Sequence, residues 1–363
     1  MLNVEKNYGV IMAGGVGSRF FPMSTHKKPK QFLDILGLGK TLLQMTFERL
    51  LPLMPLEQIL VLTHADYVHW VLAQLPDLPL QNILIEPERK NTAPCIAYAN
   101  YKIQKRCPDA RVLITPADHL IKKQYAFQAV AQKAFAFCQE NDVLLTLGIV
   151  PNKPETGYGY IEYQAGQAVM QSPQAVFKFR EKPPLAEAEA YIDKGNFLWN
   201  AGLLWYKLDV GMRAFATHLP EVQNILQAGV NDYDTAAETA FIRANFPKCP
   251  SISMDYGVLE KANNVFVLGA DMDWSDLGTW TSVYEQMPLD NQGNFVAGKQ
   301  VLIYDTQNSL VRTTSEKVII LQGLKEVVFI ETQNAILLCH RSEEQRIKNF
   351  VEQAQQEFGK ELL

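Results

Sequence analysis

The five cysteines of this chain, Cys95, Cys107, Cys138, Cys249 and Cys339, are scattered, odd in number and without a C-x-x-C pair. Such spacing argues against a zinc site or a disulfide framework and fits a reducing cytoplasm. Long apolar runs are also missing. No stretch approaches the ~18 apolar residues needed to cross a bilayer, and residues 1–6 carry no apolar signal core, so the expectation is a soluble, cytoplasmic chain with no membrane partner. Charge of one sign is not concentrated either. The 34 basic and 39 acidic residues are interspersed and leave a formal charge of −5, which excludes a broad nucleic-acid footprint. What remains is 363 residues, 47% of them hydrophobic, enough to build one large domain and a smaller one.

Residues 8–32 organise the rest. The apolar run 10–13 reads as a buried strand and stops at Gly14-Gly15-Val16-Gly17, where missing side chains let backbone N–H groups approach an anion. The pattern is neither G-x-G-x-x-G nor a loop ending in Gly-Lys-Ser/Thr, so it fits neither a Rossmann nor a Walker label. On their own, the glycines equally describe a tight strand-to-helix turn. Arg19, Lys27, Lys28 and Lys30 follow on a path stiffened by Pro22 and Pro29, which points to a small anionic ligand.

Beyond the loop, strand and helix alternate. Residues 41–51 have helical spacing, 58–62 and 82–85 read as strands, 92–107 as a helix with Thr92 as N-cap, and 111–115 as a strand. Alternation of this kind implies a largely parallel, doubly wound sheet with ligands beyond the carboxyl ends of its strands. Two motifs fall at such ends. Glu86 to Pro94 is a polar turn before a helix, and a carboxylate such as Glu86 accepts both N1–H and the exocyclic amine of guanine, donors that uracil and thymine do not offer together. In Thr115-Pro116-Ala117-Asp118-His119 a strand ends in an acidic residue. Asp118 alone reads as a turn former; paired with Asp276, with Asp273 a weaker rival, it would suit Mg²⁺ bound through carboxylates and substrate phosphates. His119 is expected to be structural, since Mg²⁺ prefers oxygen.

Three further stretches punctuate the middle: Glu155 to Ile161, Phe179 to Pro183, and Trp199-Asn200-Ala201-Gly202, each of which alone reads as a turn. Ser253 to Lys261 reads as a helix start capped by Ser253 or Asp255. Residues 288–294 form a linker, dividing the chain into 1–287 and 288–363. Past it, 304–310 is echoed by 330–336, which suggests a small coiled β structure leaning on the main domain or on another subunit. Residues 342–345 read as the capping box of a last helix, whose stripe Ile347, Phe350, Val351, Ala354 and Phe358 serves packing within the chain or a homodimer.

The pattern Gly-Gly-x-Gly-x-Arg-x-x-Pro-x-Ser at 14–24, followed by Pro29-Lys30-Gln31-Phe32, resembles the signature of the sugar-1-phosphate nucleotidyltransferases. The ending is that of the mannose-1-phosphate guanylyltransferases, and the resemblance covers roughly 8–285. It implies an α/β fold with a Rossmann-like mixed, mostly parallel sheet of the nucleotide-diphospho-sugar transferase type, a small C-terminal β-helix-like region and a terminal helix. It also implies transfer of GMP from GTP to mannose 1-phosphate, releasing pyrophosphate, with Mg²⁺ held by Asp118 and Asp276. By the same resemblance Gly14, Gly15 and Gly17 cradle phosphate, while Arg19 and Lys30 offset triphosphate charge. Glu86, Asn91 and Thr92 contact the nucleotide. Lys182 holds the sugar phosphate, and Glu181, Asn200 and the Gly157 backbone contact sugar hydroxyls. Arg180 stands where related chains often carry a smaller residue, and Ser253 to Lys261 also resembles a stretch of the family, to which no role is assigned. No general base is expected, because a sugar phosphate is already ionised near neutrality. Some longer relatives carry an isomerising cupin domain after the last helix, whereas this sequence ends at Leu363, so no isomerase activity is expected of it. Alternatives are the same chemistry on another nucleotide or sugar phosphate, and a non-catalytic sugar-nucleotide sensor.

Overall fold

The apolar runs separated by polar turns become strands of one large sheet. The computed structural model describes residues 4–359 except 16 and 165–167, and falls into two units: Met1–Gly14 with Gln44–Trp274, and Gly15–Leu43 with Ser275–Leu363.

In the first unit the strands are β1 (Asn7–Met12), β2 (Ile59–His64), β3 (Ile83–Glu86), β4 (Arg111–Pro116), β5 (Leu120–Ile121), β6 (Leu144–Ile149), β7 (Gly159–Tyr163), β8 (Gln174–Glu181), β9 (Phe197–Lys207) and β10 (Val265–Ala270). Helices interleave with them: α1 (Leu42–Leu50), α2 (Val68–Gln74), α3 (Thr92–Arg106), α4 (Gln124–Glu140), α5 (Leu185–Lys194), α6 (Leu208–His218), α7 (Pro220–Gln227) and α8 (Glu238–Asn245). Among the described residues the main sheet has nine strands in the order β3-β2-β1-β4-β9-β6-β10-β8-β7. Strands β1 to β4 pair in parallel, and β6 pairs in parallel with β10. Between these groups β9 runs antiparallel to both β4 and β6. β1, β2, β4 and β6 are buried along nearly their whole length, as expected of strands covered on both faces by helices. α3 is buried from Ala93 to Ile103, and its tyrosines and alanines join Leu60, Val112, Phe215 and Tyr233 in the main core.

Local caps differ from the sequence reading in two places. Asn91, not Thr92, caps α3, because its side-chain oxygen accepts the Thr92 N–H at 2.9 Å while its backbone takes φ 66°. The Thr92 hydroxyl is engaged elsewhere, accepting the Met254 N–H at 2.8 Å. Near the C-terminus the Ser342 box does not form. Residues 341–346 make a 3₁₀ turn capped by the His340 ring.

The second unit contains β11 (Trp274–Ser275) at its boundary, α9 (Trp280–Tyr284), β12 (Phe295–Ala297), β13 (Val301–Tyr304), β14 (Leu310–Thr313), β15 (Ile319–Gln322), β16 (Val327–Glu331), β17 (Ile336–His340) and α10 (Ile347–Phe358). β12, β14 and β16 stack in parallel, β13 pairs in parallel with β15, and β17 closes the end antiparallel to β16. This is the coil expected of a β-helix. The two echoed segments reach different ends. The first turns a corner from β13 to β14 in another sheet, with Asp305 and Asn308 at positive φ, whereas the second folds β16 back on β17 as a hairpin. α10 packs on the 3₁₀ turn Ser18–Phe20.

Candidate functional site

Parallel pairing of β1 to β4 brings their carboxyl ends to one edge, where Glu86 closes β3 and Gly14 and Asp118 follow β1 and β4. Gly14 leaves space for a carboxylate: a Cβ there would lie 2.2 Å from Glu86 Oε1. Glu86 is buried, its Oε2 accepts the Cys95 thiol at 3.1 Å, and burial pushes its carboxyl above the usual range despite that bond and the nearby Arg89. Arg89 donates to the Tyr67 hydroxyl at 2.7 Å. Asn91 is exposed and Thr92 half-buried at the start of α3. At the end of β4, Asp118 is partly exposed beside His119. The His119 Nδ1 accepts the Trp274 indole N–H at 3.3 Å, so the neutral ring carries its proton on Nε2, 3.8 Å from Asp118 Oδ1.

A second cluster lies in the antiparallel half of the same unit. β8 ends at Glu181, opposite Gly159 of β7, and a Cβ on Gly159 would meet Glu181 Oε2 at 2.6 Å. Lys182 has φ 46° and donates from Nζ to Glu181 Oε1 at 2.6 Å. A lysine in this region of backbone space is uncommon, and such residues concentrate at functional sites. From β9, Asn200 donates to Asp255 Oδ1 at 3.0 Å. Burial pushes the Asp255 carboxyl up, and the neighbouring Glu181 adds to that. The structure thus brings Glu181, Lys182 and Asn200 together. Gly157 is used differently: its N–H donates to Glu155 Oε1 at 3.0 Å and closes a turn. Gly159 and Asp255 belong to this cluster and escape the sequence reading. The signals for them lie in Gly157-Tyr158-Gly159 and in Ser253-Met254-Asp255, but nothing local ranks one glycine over the other or tells a helix cap from a site carboxylate.

In the second unit the glycine loop has a conformational reason for its last glycine. Gly17 sits at φ 63°, and a Cβ there would meet the Lys30 Cβ at 2.7 Å. Gly15 borders open space, and its carbonyl accepts the Gln31 amide at 2.8 Å. Arg19 is exposed. Lys30 is buried, with Nζ 2.6 Å from the Asp276 carbonyl and 5.3 Å from the centre of the Phe20 ring. Asp276 Oδ1 accepts the Gly278 N–H at 2.8 Å, which orients its carboxylate. Lys30 and Asp276, 246 residues apart in sequence, are thus joined within one unit.

Asp118 in the first unit and Asp276 in the second each offer carboxylate oxygens, the donor type that a hard divalent cation takes. Among the described residues no three His, Cys, Asp or Glu side chains converge as a cage. Asp273 is exposed and pairs with Lys123 at 3.2 Å.

Residues 8–293 match the nucleotidyl transferase family model, and 289–354 match the mannose-phosphate isomerase/GMP-like β-helix domain. A mannose-1-phosphate guanylyltransferase of Klebsiella pneumoniae and one of Escherichia coli are each 37% identical over 349 residues, covering 94% of this chain and 73% of the relative. A solved structure of the mannose-1-phosphate geranyltransferase of Thermus thermophilus superposes with a TM-score of 0.85 at 29% identity, covering 96% of this chain and 99% of that one. Among the described residues no helix is long and apolar enough to cross a membrane. With a family model spanning most of its length and relatives of this identity, the chain belongs to the nucleotidyl transferase family.

Proposed function

We propose that this chain transfers GMP from GTP to mannose 1-phosphate, giving GDP-mannose and pyrophosphate. The observation that carries the nucleotide choice is Glu86, a buried carboxylate at the end of β3 whose second oxygen lies against the bare Cα of Gly14. An acceptor-only group there matches the two adjacent donors of guanine and repels the acceptor edges of other bases. The relatives named mannose-1-phosphate guanylyltransferase support the sugar.

The sugar-phosphate oxygen attacks the α-phosphorus in line as pyrophosphate leaves. Catalysis then rests on positioning and charge compensation, with no covalent enzyme intermediate. Lys30 and Arg19 offset negative charge on the triphosphate, Gly14, Gly15 and Gly17 admit its oxygens, and Asn91 and Thr92 border the nucleotide. Lys182 holds the phosphate of the sugar, while Glu181 and Asn200 bind its hydroxyls. Asp118 and Asp276 would hold Mg²⁺, which when bound supplies further neutralisation of phosphate charge. Because the phosphate oxygen is already ionised, His119 need not act as a base.

The test is product identification. Incubation with GTP, mannose 1-phosphate and Mg²⁺ should yield GDP-mannose and pyrophosphate, and chelation should abolish this until Mg²⁺ is restored. Product formation with UTP or ATP in preference to GTP would overturn the nucleotide assignment.

A further inference from the structure

Asn200 is fixed from both ends. Its Oδ1 accepts the Gly202 N–H at 3.0 Å and lies 3.2 Å from the Thr146 hydroxyl, and its Nδ2 donates to Asp255 Oδ1 at 3.0 Å. The first partner is immovable because it is backbone. Gly202 sits at φ 69°, and a Cβ there would meet the Pro116 ring at 3.3 Å and His119 Cε1 at 3.5 Å. The second partner is held as firmly. Residues 252–254 are pinned to the start of α3 by Ala93 N–H to the Ile252 carbonyl, Ile252 N–H to the Lys90 carbonyl, and Met254 N–H to the Thr92 hydroxyl. Asp255 then opens a single π-helical turn, Asp255–Leu259, closed by the Glu260 N–H on the Asp255 carbonyl at 2.9 Å.

An asparagine amide has two orientations related by a flip, which exchange its donor and acceptor edges. Here a flip would set an NH₂ against the Gly202 N–H and a carbonyl against the Asp255 carboxylate. Both hydrogen bonds would be lost, and both would be replaced by repulsion. The price of this arrangement is a buried carboxylate with a second carboxylate, that of Glu181, beside it; burial first and that neighbour next disfavour the charged form of Asp255. An apolar residue would avoid that penalty but would leave the amide held from one end, by the Gly202 N–H and the Thr146 hydroxyl, and so easier to turn.

We infer that Asp255 is a positioning residue that sets sugar specificity: it locks the Asn200 amide so that its remaining N–H, and never its carbonyl, faces the sugar 1-phosphate. This rests on the sugar-side assignment made above. The locked amide can only donate and Glu181 can only accept. The pair therefore reads one hydroxyl oxygen and one hydroxyl hydrogen in a fixed relative placement, which is a basis for telling sugar epimers apart.

The experiment measures calorimetric affinity for mannose 1-phosphate and for GTP, together with turnover, in the full chain, Asp255→Ala, Asp255→Asn, Asn200→Ala and the Asn200→Ala/Asp255→Ala double variant. Asp255→Ala should weaken mannose 1-phosphate binding about 10- to 100-fold, leave GTP binding unchanged and narrow the preference for mannose 1-phosphate over glucose 1-phosphate. Asp255→Asn keeps an acceptor oxygen and should stay within about threefold, which separates positioning from packing. In the Asn200→Ala background, Asp255→Ala should cost nothing more. Additive losses, or an equal loss toward GTP, would overturn the inference. Coupled losses of sugar binding without GDP-mannose formation would sink the proposed reaction alone, and a wild-type chain that binds no sugar 1-phosphate would sink both.

Discussion

Two clusters of charged side chains lie in the same unit and use their hydrogen-bonding capacity in opposite ways. Between α3 and α8, Lys102 donates to both oxygens of Glu238 at 2.8 and 2.6 Å, and Tyr98 donates to Glu238 at 2.6 Å. Arg106 forks onto Asp234 at 2.8 and 2.7 Å and also reaches Asn82 and the Gln81 carbonyl. These groups compensate one another, although Tyr98, Lys102, Asp234 and Glu238 line a cavity of about 550 Å³ together with Ile83 and Ile85. The sugar-side cluster does the reverse. Glu181 and Asp255 stand near one another, Lys182 is exposed at positive φ, and Asn200 keeps a hydrogen to give. Charge density and cavity size therefore do not tell the two clusters apart. Hydrogen-bonding capacity left open toward solvent does, and it is what the site proposed above rests on.

That contrast can be broken from either side. The largest effect is expected in the compensated cluster, where Glu238→Ala leaves the buried Lys102 with Asp234 at 3.2 Å in place of its two closer contacts and should lower stability by about 3 kcal/mol. Kinetic constants of the folded fraction should stay unchanged; denaturant melts with parallel assays check both. Next come the residues assigned to phosphate charge. Lys30→Ala, Asp118→Asn and Asp276→Asn should each reduce turnover by about 10²-fold or more while the circular dichroism spectrum is retained. Near-normal rates at limiting Mg²⁺ for Asp276→Asn would remove it from the metal site.

Glu86→Gln should lower affinity for GTP relative to ATP and UTP by about tenfold, because one acceptor becomes a donor facing the guanine donor edge. Competition assays with the three nucleotides read this directly. A smaller effect concerns acid. Hydrogen bonds from Arg106 hold the Asp234 carboxyl at about 2, below its ordinary 3.8. Its contribution to stability is complete above 3.8 and is lost as pH falls through about 2, so wild type should lose more stability over that window than Asp234→Asn. Smallest of all, His119→Gln should keep turnover within a few-fold. Its pH profile should still follow the substrate phosphate, since the ring is engaged by Trp274 and is not needed as a base.

How much of this the sequence discloses depends on how local the cause is. β1 to β4 are legible because each is a short apolar run between turn residues, and such runs in alternation with helices form parallel strands. The insertion of β9 between β4 and β6 is not legible, because an 11-residue apolar strand carries no mark of which neighbours it will pair with. The same limit separates the site residues. Glu181, Lys182 and Asn200 stand in recognisable motifs, whereas Asp255 reaches Asn200 only through the pinning of residues 252–254 to α3, across 162 residues of sequence. Gly159 and Gly157 look alike in the chain. Only the β7–β8 register sets one against Glu181 and leaves the other closing a turn.

The most direct test of the account is pyrophosphate release by the purified chain, measured with each of GTP, ATP, UTP and dTTP against a panel of sugar 1-phosphates in the presence of Mg²⁺. The account predicts release that requires both substrates and is fastest with GTP and mannose 1-phosphate. Absence of pyrophosphate from every pair, in a protein that binds GDP-mannose, would contradict it and leave a sugar-nucleotide sensor on a nucleotidyltransferase fold.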